Sequence, residues 1–150
     1  MKRRMYTEDH EIFRNSVRQF LQAEVVPFHK EWEHAGIVPR SIWEKAGGQG
    51  FLCTATAEKY GGAGADFLYS AIVSEECGRV FNHGFAMGLH SDIIVPYLES
   101  FGSEEQKERW LPGCVAGKLI TAIAMTEPGA GSDLQGVRTT AIRDGDHYVV

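Results

Sequence analysis

The sequence predicts a mainly α chain, in which an N-terminal helical domain is followed by the first strands of an incomplete β-domain. Two observations carry this. From Thr7 to about Trp110 apolar residues recur at helical spacing behind repeated capping signals. After Gly117 the pattern changes to short β-like runs. Gly117 therefore divides residues 1–117, the helical domain, from residues 118–150, the start of the β-domain.

Thr7 is placed to cap the first helix, with Glu8 and Asp9 where acids favour the helix dipole. Ile12, Phe13, Val17, Phe20, Leu21 and Val25 form its apolar face, which Pro27 ends or kinks and Trp32 continues. Ser41-Ile42-Trp43-Glu44 reads as a capping box with Ser41 as N-cap, for a short helix that stops at Gly47-Gly48. Tyr60 to Asp66 is a glycine-rich connector. No Gly-Lys-Ser/Thr follows it, so it is not a phosphate loop. Asp66 caps a helix whose face is Phe67, Tyr69, Ile72, Val73 and Cys77.

Another apolar helix is expected from about His83 to Phe101, interrupted at Pro96 and closed by Gly102. Ser103-Glu104-Glu105-Gln106 is a second capping box, starting a helix that Pro112-Gly113 should break or restart. Strands are expected at Leu119–Met125, Thr139–Arg143 and His147–Val150, the last two joined across Asp144-Gly145-Asp146.

The 150 residues carry a formal charge of −5, which leaves no basic footprint for nucleic acid. Lys2-Arg3-Arg4 reads as a solvated tail. No apolar run approaches the roughly 20 residues of a membrane span. No signal-peptide core follows the start, and Glu8, Asp9 and Glu11 come too early for a transit peptide. The expected compartment is the cytoplasm, or the mitochondrial matrix if a targeting segment has been removed.

Cys53, Cys77 and Cys114 are too widely spaced for a zinc site or a disulfide framework and read as buried small hydrophobes. The histidines show no metal-ligand spacing. His90 alone warrants attention, with a structural role expected. Glu75 and Glu76 are adjacent, about 100° apart around a helix, and so poorly placed for shared acid–base work. They read as structural or solvated.

The stretch with the most chemistry is Ala122-Ile123-Ala124-Met125-Thr126-Glu127-Pro128-Gly129-Ala130-Gly131-Ser132-Asp133. An apolar run breaks into a bend where Pro128 fixes its own φ, while Gly129 and Gly131 permit positive φ and lack Cβ. Thr126 and Ser132 add a hydroxyl at each end. Such a bend suits a flat ligand that brings its own chemistry. It equally suits a tight turn between strands with no ligand.

Thr126-Glu127-Pro128-Gly129-Ala130-Gly131-Ser132-Asp133, preceded by Ala124-Met125, resembles the flavin loop of acyl-CoA dehydrogenases. The likeness extends through Tyr60-Gly61-Gly62, Ser74-Glu75-Glu76 and Gly102 to Lys107. Leu89-His90-Ser91-Asp92 and Ser132 to Gly136 are most similar to the long-chain branch.

The resemblance implies FAD as cofactor, with Ile123, Ala124, Met125, Thr126, Glu127, Pro128, Gly129, Ala130, Gly131 and Ser132 as its binding run and Ser132 also touching an acyl-CoA substrate. It implies oxidation of an acyl-CoA thioester to the trans-2-enoyl form, an electron-transfer flavoprotein as acceptor, and a homo-oligomeric (dimeric or tetrameric) enzyme. The family's catalytic glutamate lies in a C-terminal domain. No residue here matches it, so no catalytic residue is assigned.

Because the chain stops at Tyr148-Val149-Val150 within a strand pattern, it is expected to be the N-terminal portion of such an enzyme, inactive by itself and retaining FAD weakly or not at all. The competing readings are an acyl-CoA oxidase-like flavoenzyme, a non-catalytic helical interaction module, and a Rossmann or P-loop fold. The last needs a helix directly after the glycines, where Gly136, Val137, Thr139 and Thr140 favour turn and strand.

Overall fold

A computed structural model describes residues 5–81 and 84–150, and it is mainly α. The basic residues Lys2, Arg3 and Arg4 and the expected helix start at His83 lie outside the described residues. Among the described residues six α-helices follow in order: α1 Glu8–Glu24, α2 His29–Ala35, α3 Arg40–Gly48, α4 Phe67–Val80, α5 Val95–Phe101 and α6 Glu104–Val115. Among the described residues the only sheet is a hairpin of β1 Ile142–Asp144 and β2 His147–Val149.

Local signals set several helix ends. Thr7 caps α1 in a reciprocal box: its hydroxyl accepts the His10 amide at 3.4 Å, and His10 Nδ1 accepts the Thr7 amide at 3.1 Å. Asp66 caps α4 by accepting from the Leu68 amide, and the Ser103–Gln106 box starts α6. The α3 box does not form. Pro39, held extended at φ −60° and ψ 142°, is the N-cap, so Ser41 is already inside the helix and its hydroxyl caps nothing.

Of the three prolines expected to interrupt helices, Pro27 lies in the turn between α1 and α2 and the other two are accommodated. Ahead of Pro96 the chain widens into a π-helical stretch, Leu89–Ile94, and continues directly into α5. That change of register absorbs the missing donor. Pro112 lies within α6. Its cost of about 3 kcal/mol is offset by burial of Leu111, Cys114 and Val115 in the same turn and the next. Glu108, whose carbonyl loses its partner, is exposed to water.

The core joins Val17, Phe20 and Leu21 of α1 and its C-cap Val25 to Ile42, Trp43 and Ala46 of α3, Val73 of α4 and Leu111 of α6. Phe13 and Phe20 meet the Phe51 ring edge-on. Two residues assigned to apolar faces point outward instead: Ile12 and Phe67 are exposed.

The α1–α4 contact is held by ions as well as oil. Glu76, 1% exposed, receives Arg18 Nε at 2.8 Å and Arg14 Nη1 at 3.1 Å; Arg14 Nη1 also meets Glu75 at 2.6 Å. Burial raises the Glu76 pKa, but the Arg18 and Arg14 hydrogen bonds outweigh it and hold the carboxyl below its ordinary value. Glu76 is therefore structural and not solvated. The cysteines are free; burial pushes the Cys53 and Cys77 thiols up to about 12 and raises Cys114.

α6 delivers the chain to its exit. Gly117 adopts φ +69°, and a Cβ there would stand 2.1 Å from the Trp43 carbonyl oxygen. Only glycine permits that backbone approach. Arg40 Nη2 then donates to the Lys118 carbonyl at 2.8 Å. The expected strand Leu119–Met125 is irregular and unpaired, because no described segment lies alongside to complete a ladder. The strand expected from Thr139 starts only at Ile142, where pairing with Val149 begins. Gly145, at φ +63°, makes the tight turn.

Candidate functional site

The bend after Met125 is closed by its own backbone. Glu127 and Ala130 exchange amide-to-carbonyl bonds of 3.1 and 3.0 Å around Pro128 and Gly129. A 3₁₀ turn, Leu134–Gly136, follows, capped by Asp133 accepting from the Gln135 amide. The Glu127 side chain then reaches across the bend. Its carboxylate accepts from the Arg138 amide at 2.5 Å, the Thr139 amide at 3.0 Å and the Thr139 hydroxyl. The Thr139 and Arg138 bonds hold its pKa below the ordinary value. Glu127 is thus an acceptor that shapes the loop.

Every other residue of the expected ligand run is placed on this one loop. Ile123, Ala124, Met125, Thr126, Pro128, Gly129, Gly131 and Ser132 are exposed, whereas Ala130 is buried against the body of the bend. Gly129 and Gly131 do not use positive φ. Nothing lies within 4 Å of where a Cβ would stand on either. Glycine here answers no steric or torsional demand made by the described residues; it leaves an open approach to the backbone. Neither the Thr126 nor the Ser132 hydroxyl has a hydrogen-bond partner among the described residues. Open glycines, free hydroxyls and exposed apolar Ile123 and Met125 fit a planar, partly polar ring better than they fit a sealed turn.

Two features of the site were not read from the sequence. The clasp by Arg138 and Thr139 depends on a fold-back of more than ten residues. The second is a tether: His90 Nδ1 meets Thr121 Oγ1 at 2.9 Å and its amide nitrogen at 3.2 Å, just before the loop. His90 stood out as a histidine in an apolar helix; nothing marked Thr121.

Among the described residues no cluster of His, Cys, Asp or Glu is arranged to hold a metal, and no helix is long and apolar enough to cross a membrane.

The family model described as acyl-CoA dehydrogenase, N-terminal domain, matches residues 7–118. The chain belongs to the acyl-CoA dehydrogenase family. It is 53% identical over 148 residues to the mitochondrial long-chain specific acyl-CoA dehydrogenase of Rattus norvegicus, covering 99% of this chain and 34% of that protein. Among solved structures, an acyl-CoA dehydrogenase from Geobacillus kaustophilus superposes with a TM-score of 0.93 at 53% identity, covering 99% of this chain and 39% of that one. A glutaryl-CoA dehydrogenase from Mycobacterium smegmatis, solved in complex with FADH2, superposes at 0.86 and 30% identity, covering 95% and 37%. The chain spans about a third of the length of the curated relatives it matches. The α-helical architecture described above is the family's N-terminal domain.

Proposed function

We propose that the chain supplies the helical body and the flavin loop of an FAD-dependent acyl-CoA dehydrogenase, with residues 1–117 as the helical domain and 118–150 opening the β-domain. The observation that carries this is the loop at 123–132, where glycines without any internal need for glycine and unpartnered hydroxyls face open space in a family member. FAD, when bound, supplies the hydride acceptor for oxidation of an acyl-CoA thioester to its trans-2-enoyl form.

The chain's own residues bind and orient. The backbone of Gly129 to Gly131 offers close approach, Ile123 and Met125 offer apolar contact, and the Thr126 hydroxyl is free to hydrogen-bond a ring heteroatom. Ser132 is assigned to the acyl-CoA side of the same loop. Neither Glu76, which is ion-paired, nor Glu127, which is committed to the loop, serves as the α-proton base, and no residue here matches the family's catalytic glutamate. The base is therefore assigned to another part of the protein. An electron-transfer flavoprotein is the proposed acceptor, and a homo-oligomer the proposed assembly. The outward apolar stripe of Ile93, Tyr97 and Phe101 supports burial of that face against further protein.

Titrating FAD to millimolar concentration into the isotopically labelled chain tests the reading. Amide shifts are expected first and largest within residues 123–132, even at weak affinity. Shifts centred on the helices, or a loop that stays unmoved, would overturn it.

A further inference from the structure

The segment leading into the loop is tied to the helical body at one buried ring. His90 sits on the π-helical stretch, 1% exposed, edge-on to Trp43 at 5.6 Å, with Cys53 Sγ 3.6 Å from Nε2. Its two nitrogens have opposite jobs. Nε2 lies 3.1 Å from the Cys114 carbonyl, which only accepts, so Nε2 bears the proton and donates. Nδ1 faces the Thr121 amide at 3.2 Å, which only donates, so Nδ1 accepts. A ring that donates from one nitrogen and accepts at the other is neutral and in a single tautomer, and burial lowers the His90 pKa in the same sense despite the Cys114 bond.

One rigid side chain thus joins three places: the π-helical stretch, the end of α6 and Thr121. Upstream of Thr121 the chain is held by Gly117 against Trp43 and by Arg40 on Lys118. Downstream, residues 122–126 make no backbone hydrogen bond to another described residue. Thr121 is the last fixed point before Ile123, where the expected ligand run begins.

We propose that His90 is a positioning residue for the flavin loop, setting through Thr121 where residues 123–132 stand relative to the helical body. The ligand in this inference, FAD, rests on the reading above; the anchoring does not.

Two amide variants separate the jobs of the ring. In His90→Asn the side-chain oxygen stands near the Nδ1 position and can still accept from Thr121. In His90→Gln the amide nitrogen stands near the Nε2 position and can still donate to Cys114, but Thr121 loses its partner. Two readouts are compared with the unsubstituted chain: hydrogen exchange of the Thr121 amide, which His90 Nδ1 holds, and FAD affinity from the loop shifts. His90→Gln is expected to speed exchange and weaken FAD by about ten-fold, the scale of one lost hydrogen bond to a buried partner. His90→Asn is expected to stay within about two-fold. A residue needed only for packing would give equal losses in both variants or a worse loss in His90→Asn, and either result overturns the inference.

Thr121→Val, which leaves the core untouched and removes only the hydroxyl partner, should reproduce the direction at about three-fold. No change in it alongside a misfolded His90→Gln would also count against the proposal. If the unsubstituted chain shows no FAD shifts in the loop, the flavin reading fails. The exchange data then decide the anchoring alone.

Discussion

Glu76 and Glu127 are both carboxylates held below their ordinary pKa, one inside the helical body and one on the surface loop. Glu76 is sealed among arginines from α1 and α4. Glu127 is gathered by backbone amides of a segment that otherwise faces water. The regions around them differ in the same way. The buried apolar residues run from Val17 to Val115, and beyond Lys118 only Ala130 joins them. A similar shift in proton affinity therefore signals global stability in one region and local shape in the other.

Removing Glu76 should have the largest effect. Glu76→Ala removes the inner partner shared by Arg14 and Arg18 while Arg14 keeps Glu75, so the loss is expected at or below about 3 kcal/mol, the lower end for breaking a buried pair. Chemical denaturation should show the loss as an earlier midpoint. A midpoint close to that of the unsubstituted chain would mean that the cluster is solvated and the contrast false. Because its folded pKa is lowered, the contribution of Glu76 is present above the unfolded carboxylate value of about 4.3 and is lost as pH falls through the folded value.

Glu127 should matter locally. The same sign applies: the Arg138 and Thr139 amides are protected at neutral pH and lose protection as pH falls through the lowered pKa. Exchange rates corrected for their intrinsic pH dependence should show this, and Glu127→Gln should weaken the clasp at all pH values without moving the thermal midpoint. Protection of Arg138 that ignores both pH and the substitution would remove the clasp from the argument.

The smallest effect is expected in the hairpin. Tyr148 is 65% exposed, and Tyr148→Ala should change unfolding free energy by less than about 0.5 kcal/mol. A larger loss would show that the hairpin is integrated with the core after all.

What was legible in the sequence follows this division. Thr7, Asp66 and Ser103 act within three residues of themselves, so their caps could be read directly. The loop was legible as a motif for the same reason. Glu76 was not, because Arg14 and Arg18 approach it from about sixty positions away. The Ser41 box failed because Pro39, two residues earlier, had already set the helix start. Pro112 was misread because helix-breaking is a local cost that the burial of Leu111 and its neighbours outweighs. The strand at Leu119–Met125 failed for a different reason: apolar alternation prepares a strand, but only a neighbouring strand completes one.

The raised thiol values have a practical consequence. With burial pushing the Cys53 and Cys77 thiols up to about 12 and raising Cys114, the native thiols are overwhelmingly protonated and unreactive at neutral pH. A cysteine introduced at an exposed loop position such as Ser132 would be the preferred target of a maleimide or nitroxide reagent. A spectroscopic reporter could be placed beside the bend without first stripping the native sulfurs from the core.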